Sequence, residues 1–332
     1  MGERLLEVKN LRTSFFTVAG EVKAVNGISY YLDKQEIIAI VGESGCGKSV
    51  SQKSMVQLIQ MPPGKILGGE VLFEGKNLLD YAPTSKEIQS VRGAGISFIF
   101  QEPMTALNPV YTVGNQLVEV IRNHKKCSKA EAWKIGVQAL RDVAIPDPEK
   151  RMRNYPFELS GGMRQRILIA ICVACNSKVI IADEPTTALD VTIQAQVMEL
   201  LQQIVERKKT SLVIVTHNLG LVTRYAQRIY VMYAGRIIES GTTEELITKP
   251  RHPYTKGLLN SVPKLDQTGS EKLIPIDGTP PSLVNLPDQC AFLPRCPYAC
   301  DKCRNSMFPE LRSVEGENHF VACHRDIVED RT

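Results

Sequence analysis

The stretch Gly42-Glu43-Ser44-Gly45-Cys46-Gly47-Lys48-Ser49 lies between a short apolar run, Glu36 to Val41, and a helical stretch. A continuous apolar run of this length is typical of a buried parallel strand. The glycine spacing matches G-x-x-x-x-G-K-S, in which backbone N–H groups and a helix N-terminus bind phosphate. Because both flanks have the required pattern, the stretch predicts a nucleoside triphosphate site. The alternative is a glycine turn that merely links strand to helix.

Each position of this phosphate loop has an expected role. Lys48 is expected to reach the β- and γ-phosphates, and the Ser49 hydroxyl is expected to bind Mg²⁺. Glycines allow the backbone N–H groups to wrap around the phosphates. The predicted phosphate-binding residues are Gly42, Ser44, Gly45, Cys46, Gly47, Lys48, Ser49 and Val50.

Further apolar runs extend the strand pattern outward from the loop. They lie at Ile96 to Phe100, Val179 to Ala182 and Leu212 to Val215, and helical stretches separate them. Strands that alternate with helices predict an α/β fold with a parallel sheet and helical crossovers. Apolar and polar residues alternate near the start of the chain, which predicts a second, antiparallel strand group at Leu5 to Phe16, Glu21 to Leu32 and Glu70 to Phe73.

Two other regions differ in their pattern of apolar residues. Between Pro103 and Arg153 there is no strand-like run, and Ser128 with Glu131 predicts a capped helix, so we expect a helical subdomain inserted at about residues 103–175. After Pro250 the chain has few helical or strand patterns, and seven prolines lie in residues 275–309. We therefore expect a main domain at 1–250 and a small cysteine- and proline-rich domain at 251–332.

Composition narrows the class of protein. Of 332 residues, 43% are hydrophobic and 23% are charged, which is typical of a folded chain and excludes a disordered or collagen-like one. A net charge of +4 without a local basic stripe argues against a dedicated nucleic-acid binder. The longest dense apolar run, Ile167 to Cys175, has nine residues, too few to cross a bilayer, and the N-terminus has no leader pattern. We therefore expect a cytosolic protein.

Two acidic residues end one of the predicted strands. The run Val179 to Ala182 leads directly into Asp183 and Glu184. An aspartate that holds Mg²⁺ and a glutamate that activates water would suit hydrolysis of a phosphate group. By itself, an Asp-Glu pair at a strand end is more often a solvated turn. Together with Lys48 it predicts the second half of one nucleotide site.

A Ser-Gly-Gly turn opens a long apolar helix at Leu159-Ser160-Gly161-Gly162-Met163-Arg164-Gln165-Arg166. Ser160 is a good N-cap residue, and the exposed N–H groups at such a helix end can bind an anion. An ordinary capped turn is the other interpretation. The order of the motifs along the chain explains why one chain would have a second phosphate-binding helix end.

These motifs resemble those of ATP-binding cassette (ABC) proteins and occur in the same order. The matching residues are Lys48, Gln101, the Leu-Ser-Gly-Gly segment, Asp183-Glu184, Ala188-Leu189-Asp190 and His217. The resemblance implies a RecA-like parallel-sheet core with an antiparallel β subdomain and an inserted helical subdomain. It also implies a head-to-tail dimer, in which ATP lies between the phosphate loop of one subunit and Ser160, Gly161, Gly162 and Gln165 of the other.

The same resemblance implies roles for single residues. The implied roles are catalysis by Glu184, His217 and Gln101, Mg²⁺ binding by Ser49, Gln101 and Asp183, and contact with the opposing subunit by Asp190. An aromatic residue upstream of the loop stacks on adenine in this family. By spacing this residue is Phe15, with Phe16 as the second choice and a core aromatic residue as the alternative.

Four longer segments resemble the ATP-binding subunits of bacterial and archaeal dipeptide and oligopeptide importers. These segments are residues 100–109, 159–166, 182–192 and 251–259. The resemblance implies an ATPase that powers peptide import, as a homodimer or as a heterodimer with a related ATPase. It implies membrane permease subunits as partners, an external peptide-binding protein as an indirect one, no nucleic acid, and a place on the inner face of the cell membrane.

Two alternatives to peptide import stay open at this point. Related subunits serve the uptake of nickel or other solutes. A soluble ABC ATPase that acts on ribosomes or nucleic acid is the alternative from another class, although such proteins usually have two cassettes or long coiled-coil insertions.

Five of the nine cysteines crowd into the last 43 positions. Four of them, Cys290, Cys296, Cys303 and Cys323, could supply thiolates to tetrahedral Zn²⁺ or to a [4Fe-4S] cluster, and spacing alone does not decide between the two. Importer subunits with the similar segment C-x-F-x-P-R-C-P, here Cys290 to Pro297, carry a [4Fe-4S] cluster, so the resemblance favours iron–sulfur, with Cys300 as a spare thiol. Free buried cysteines are the remaining alternative. Because the ATP motifs lie in the other predicted domain, we expect loss of this site to change the ATP affinity of the isolated subunit little.

Overall fold

A computed structural model describes residues 2–187, 189–261, 275–314, 318–325 and 327. The chain divides into two compact units. The first unit comprises Met1–Gly2, Asp33–Glu36 and Tyr81–Val215, and the second comprises Glu3–Leu32, Ile37–Asp80 and Thr216–Thr332. Within the described ranges, no helix combines the length and the apolar character that crossing a bilayer requires.

In the described residues the strands are β1 Arg4–Thr17, β2 Gly20–Asp33, β3 Ile37–Val41, β4 Gly64–Phe73, β5 Lys76–Asn77, β6 Ile96–Ile99, β7 Val179–Asp183, β8 Ser211–Thr216, β9 Arg228–Tyr233, β10 Arg236–Thr242, β11 Arg312–Ser313 and β12 Phe320–Val321. Strands β1, β2, β3, β6, β7 and β8 follow the predicted runs closely, β4 is longer than predicted, and β5, β9, β10, β11 and β12 were not predicted.

The described helices lie between residues 48 and 305, and six of them lie between residues 103 and 208. They are α1 Lys48–Met55, α2 Lys86–Val91, α3 Pro103–Ala106, α4 Val113–His124, α5 Lys129–Asp142, α6 Pro148–Arg151, α7 Gly161–Ala174, α8 Val191–Lys208, α9 Leu219–Val222, α10 Thr243–Thr248, α11 Pro253–Asn260 and α12 Asp301–Asn305. Short 3-10 turns lie at Leu78–Asp80, Pro156–Glu158 and Leu293–Arg295.

The first unit contains a parallel sheet and a group of helices. Strands β6, β7 and β8 pair in parallel in that order, and β7 and β8 are buried along their whole length. Burial on both faces explains why these strands read as continuous apolar runs. Helices α4, α5 and α7 contact one another. Ser128 and Glu131 form the predicted capping box at the start of α5, with both reciprocal hydrogen bonds present.

The second unit contains two groups of hydrogen-bonded strands. One has the order β2-β1-β4-β5, with β1 and β5 each antiparallel to β4. In the other, β3 is parallel to β9, β9 is antiparallel to β10, and β12 pairs with β10 and β11. Together with the first unit, this arrangement of parallel strands, antiparallel strands and helices confirms the predicted α/β fold class.

The tail contains more regular structure than its proline content indicates. Strand β12 adds to the edge of β10, where Val321 pairs with Glu239 and Phe320 with Ser240. Strands β11 and β12 have two residues each, so no alternation could reveal them. They form because an existing strand edge supplies the hydrogen-bonding partners.

Candidate functional site

The phosphate loop connects β3 to α1, as predicted, and two of its glycines are required by close backbone approach. A Cβ atom on Gly47, whose φ is 101°, would lie 2.0 Å from the Ala24 carbonyl oxygen. A Cβ on Gly42 would lie 2.1 Å from the Met232 carbonyl oxygen. Such distances exclude any side chain, so the backbone of the loop can take this path only with glycine at both positions.

Lys48 points back into the loop that precedes it. Its Nζ donates hydrogen bonds to the carbonyl oxygens of Gly42 (2.8 Å) and Glu43 (3.0 Å), and the residue is buried. The ammonium group therefore lies at the centre of the turn, where phosphate oxygens can replace these carbonyls as acceptors. Ser44 and Gly45, at the tip of the loop, are exposed. Burial raises the pKa of the Cys46 thiol, which keeps this thiol protonated and unreactive.

The two predicted acidic residues lie at the carboxyl end of β7 in the first unit. Asp183 is the last residue of the strand, and Glu184 follows it with a φ of 49°. Both side chains are buried. The Glu184 N–H donates to the Val215 carbonyl oxygen (2.8 Å), and the Thr187 hydroxyl donates to Glu184 Oε2 (3.0 Å). A left-handed backbone at a buried glutamate is uncommon and is typical of functional sites, where the surrounding structure supports the strain.

The Ser-Gly-Gly turn begins α7 in the same unit. The Ser160 hydroxyl accepts a hydrogen bond from the Met163 N–H (3.4 Å), so Ser160 is the N-cap. Ser160 and Gly161 are exposed and Gly162 is half-buried, which leaves this helix end open to a ligand or a partner. Gln165, which we grouped with this turn, is only 1% exposed and faces the interior. The accessible part of the motif is therefore the turn itself.

The remaining predicted site residues lie at the ends of secondary-structure elements. Gln101 follows β6 and is exposed, and His217 follows β8 and is exposed. Asp190 is the exposed N-cap of α8, where its Oδ1 accepts from the Ile193 N–H (3.0 Å). Gln101, Asp183, Glu184, Ser160 and Asp190 belong to the first unit, whereas Lys48 and His217 belong to the second.

The two candidate aromatic residues on β1 differ in exposure. Phe15 is half-buried, and its ring lies close to Gly64, where a Cβ would lie 3.0 Å from Phe15 Cε1. The Phe16 side chain is 51% exposed. Both rings remain candidates for contact with adenine, and Phe15 remains the prediction from spacing.

The four cysteines predicted as ligands line one cavity in the second unit. These are Cys290, Cys296, Cys303 and Cys323. Other residues that line the cavity include Phe292, Leu293, Pro309, His252 and His324. Cys300 is not one of the lining residues, and its Sγ lies 3.5 Å from Cys303 Sγ. Across the residues that the structure describes, no group of three or more His, Cys, Asp or Glu side chains is arranged to hold a metal ion.

Desolvation dominates the electrostatics of this cavity. Burial raises the pKa of the Cys296 thiol to about 11 and that of Cys323 to about 12, and it also raises those of Cys290 and Cys303. Burial lowers the pKa of His252 to about 3, so this imidazole is neutral. Neighbouring thiolates raise the pKa of each other further, because like charges repel. Four sulfurs on an apolar cavity form a donor set that suits a soft, positively charged group.

Sequence reasoning missed the residues that anchor the phosphate loop from outside. The Glu43 N–H donates to the Tyr254 hydroxyl (2.9 Å), and the Glu43 carboxylate accepts two hydrogen bonds from Arg295. Arg295 is 252 positions away from Glu43 in the chain. No local pattern signals a contact at that separation.

Comparison with known proteins places these motifs in a family context. A family described as "ABC transporter" matches residues 25–187, and one described as "Oligopeptide/dipeptide transporter, C-terminal region" matches residues 238–303. The chain is 54% identical over 296 residues to "Oligopeptide transport ATP-binding protein OppD" of Bacillus subtilis (strain 168), which covers 89% of this chain and 82% of the relative. It is 49% identical over 324 residues to "Dipeptide transport ATP-binding protein DppD" of the same organism, which covers 97% of this chain and 94% of the relative.

Solved structures give the same result for the fold. The dimeric structure of MJ0796, described as a bacterial ABC transporter cassette, superposes with a TM-score of 0.64 at 26% identity and covers 72% of this chain and 99% of that one. A dimeric structure described as a post-hydrolysis state of the ATP-binding cassette MJ0796 bound to ADP and Pi superposes with a TM-score of 0.63 at 25% identity, over the same shares of both chains.

Proposed function

Since the chain belongs to the ABC transporter family, we propose that it is the ATP-hydrolysing subunit of an importer for oligopeptides or dipeptides. The observation that carries this proposal is the similarity to a dipeptide transport ATP-binding protein over 97% of the chain. A separate match, to the C-terminal region of oligopeptide and dipeptide transporters, covers residues 238–303, which include part of the cysteine-rich tail. The geometry of the phosphate loop and the carboxylates at the end of β7 supports ATP hydrolysis.

The predicted site residues have separate roles in hydrolysis. Lys48 and the loop N–H groups bind the β- and γ-phosphates of MgATP, and Phe15 stacks on adenine. Ser49, Asp183 and Gln101 are the residues that would hold the Mg²⁺ bound with the nucleotide. Glu184 accepts a proton from the attacking water, and His217 holds the γ-phosphate and positions that water. The surroundings of Glu184 support this role, because the Thr187 hydroxyl donates a hydrogen bond to one carboxylate oxygen and so orients the side chain.

A second subunit completes each ATP site. The exposed turn at Ser160, Gly161 and Gly162 presents helix N–H groups to the γ-phosphate of the partner's ATP, and Gln165 belongs to the same predicted motif. Asp190 contacts the opposing subunit. The partner is a second copy or a related ABC ATPase. Closure of the dimer on two ATP molecules drives membrane permease subunits at the inner face of the cell membrane, and an external peptide-binding protein delivers the cargo.

Changing Ser160 to Arg should separate ATP binding from dimerisation. We expect MgATP affinity of the isolated subunit to stay within about twofold of the parent, because the phosphate loop is untouched. ATP-driven dimerisation, measured by light scattering, should be lost because the bulky side chain blocks the helix end that meets the partner's γ-phosphate. Ser128→Arg is the matched control, since Ser128 is the exposed N-cap of α5. Equal dimerisation of the parent and Ser160→Arg would contradict a shared site.

Transport by the reconstituted complex tests the substrate class. The subunit is combined with its permease subunits in proteoliposomes, and ATP-dependent uptake of radiolabelled di-alanine and tetra-alanine is compared with uptake of ⁶³Ni²⁺. We expect uptake of peptide that stops when ATP is omitted. Uptake of nickel alone would assign the chain to another branch of importers. Binding to ribosomes without any uptake would favour the soluble ATPase class.

The cysteine cavity belongs to the tail, which we propose as a C-terminal domain at residues 251–332 beside an ATPase domain at 1–250. Cys290, Cys296, Cys303 and Cys323 would hold a [4Fe-4S] cluster, with Zn²⁺ as the alternative occupant. The fit rests on four sulfur donors that line one cavity with apolar walls. Such a group would supply a structural cross-link between distant parts of the tail, where few apolar residues are available to form a core.

A further inference from the structure

One ion pair connects the tail directly to the phosphate loop. Arg295 Nη1 lies 2.7 Å from Glu43 Oε2, and Arg295 Nη2 lies 2.9 Å from Glu43 Oε1, so the pair is bidentate. The Arg295 side chain is only 5% exposed, and that of Glu43 is 24% exposed. Glu43 is the second residue of the phosphate loop. A bidentate, largely buried pair of this kind has a defined geometry, unlike an ordinary surface salt bridge.

The other N–H groups of the Arg295 guanidinium are also hydrogen-bonded. Nε donates to the Asp277 carbonyl oxygen (2.9 Å), Nη2 to the Ile276 carbonyl oxygen (3.3 Å), and Nη1 to the Tyr233 hydroxyl (3.2 Å). Together with the two bonds to Glu43, these contacts use all five N–H donors that an arginine has. Lysine cannot reproduce this pattern, because its ammonium group has three donors and no planar arrangement.

Glu43 is therefore fixed at three atoms. Its N–H donates to the Tyr254 hydroxyl (2.9 Å), its carboxylate binds Arg295, and its carbonyl oxygen accepts from Lys48 Nζ (3.0 Å). Tyr254 is fully buried, with its ring centroid 4.6 Å from that of Tyr233. The peptide unit that contacts the phosphate-binding lysine is thus set by residues outside the loop.

The backbone of Arg295 lies in a tight turn between two of the cavity cysteines. The Leu293 N–H donates to the Cys290 carbonyl oxygen (3.0 Å), and the Cys296 N–H donates to the Leu293 carbonyl oxygen (3.3 Å). Phe292, in the same turn, packs its ring against Tyr254 at a centroid distance of 5.4 Å. The turn therefore connects the cysteine cavity on one side to Glu43 on the other.

We infer that Arg295 is a positioning residue for nucleotide binding, which acts through Glu43 to hold the phosphate loop in the form that accepts MgATP. The inference rests on the proposed ATP site. It also revises our expectation that the tail has little influence on ATP affinity, because the tail supplies this arginine. Without Arg295, the Glu43 carboxylate would be left uncompensated beside the triphosphate, and the loop would lose one of its anchors.

A set of three variants tests the inference on the full-length chain, with MgATP competed against a fluorescent mant-ATP probe. Arg295→Met should raise the dissociation constant about tenfold, because a buried charge loses its partner and the loop loses its anchor. Glu43→Gln should raise it only about twofold to threefold, since less negative charge beside the phosphates offsets part of the lost anchoring. The double variant should bind about threefold more tightly than Arg295→Met alone, because the uncompensated carboxylate is gone.

The rescue in the double variant distinguishes positioning from simple support of the fold. A purely structural role would lower the number of binding sites per chain, leave the dissociation constant of the folded fraction unchanged, and make the double variant no better than Arg295→Met. Arg236→Met is the control, because Arg236 forms an ion pair with Asp288 (2.6 Å), more exposed than that of Arg295, which joins β10 to the tail and not to the loop. We expect its ATP affinity to equal that of the parent.

Other outcomes would overturn either this inference or the proposed function. An unchanged dissociation constant in Arg295→Met with full site number overturns the inference, as does the absence of rescue in the double variant. If Arg295→Met does not fold, Glu43→Gln decides alone, and unchanged affinity there overturns the inference. Failure of the parent protein to bind ATP would instead refute the proposed function, so the two failures are distinguishable.

Discussion

Glu184→Gln should abolish ATP turnover while leaving ATP binding in place. We expect hydrolysis to fall at least about 100-fold, because the amide cannot accept a proton from the attacking water. The dissociation constant for MgATP should stay within about twofold, since the amide keeps the shape of the side chain. The amide oxygen can still accept the hydrogen bond that the Thr187 hydroxyl donates to Glu184 Oε2 in this structure. The strained backbone at this position should therefore be retained.

The variant should also accumulate a closed dimer with ATP, because hydrolysis no longer opens the interface. Steady-state phosphate release and light scattering measure the two effects separately. Glu206→Gln is the control, because Glu206 is an exposed carboxylate on α8 and should change neither property. Adding Ser160→Arg to Glu184→Gln should remove the trapped dimer. Turnover within a few-fold of the parent in Glu184→Gln would mean that another group activates the water.

The core of the fold and most of the motifs could be predicted because their physical signals are local. Strand β3 is buried at all five positions and so reads as an unbroken apolar run, and the loop that follows needs glycine wherever backbone atoms approach closely. The capping box at Ser128 is contained within four consecutive residues. Patterns that involve only neighbouring residues can be recognised in a single sequence.

The rest depends on contacts between distant parts of the chain. Nothing near Glu184 indicates its left-handed backbone, and its N–H donates a hydrogen bond to Val215, which is 31 positions away. Strand β12 exists because β10 offers a free edge, and the contact of Arg295 with Glu43 joins positions 252 apart. In each case the determining partner lies elsewhere in the sequence, so propensity and periodicity carry no information about it.

The cysteine cavity should make the protein brown when it is purified without oxygen. We expect a broad absorption band near roughly 400 nm and about four irons per chain, as a four-cysteine [4Fe-4S] site requires. Changing Cys290, Cys296, Cys303 or Cys323 to Ser should each bleach the band and expose residues beyond about 275 to protease, because metal sites in small domains contribute much of the folding free energy. Cys300→Ser is the matched control and should keep both colour and iron, because Cys300 does not line the cavity.

The same variants test the connection between the tail and the ATP site. The turn that carries Arg295 begins at the Cys290 carbonyl and ends at the Cys296 N–H. Losing the group that we propose these cysteines hold should loosen the turn, so Cys290→Ser and Cys296→Ser should raise the dissociation constant for MgATP by about threefold to tenfold. Bleached variants with unchanged ATP affinity would show that the turn still holds Arg295 against Glu43 without the cluster. Colourless protein with one zinc per chain from an anaerobic preparation would rule out iron–sulfur and leave zinc as the occupant, whereas protein without either metal would leave the four cysteines as buried thiols.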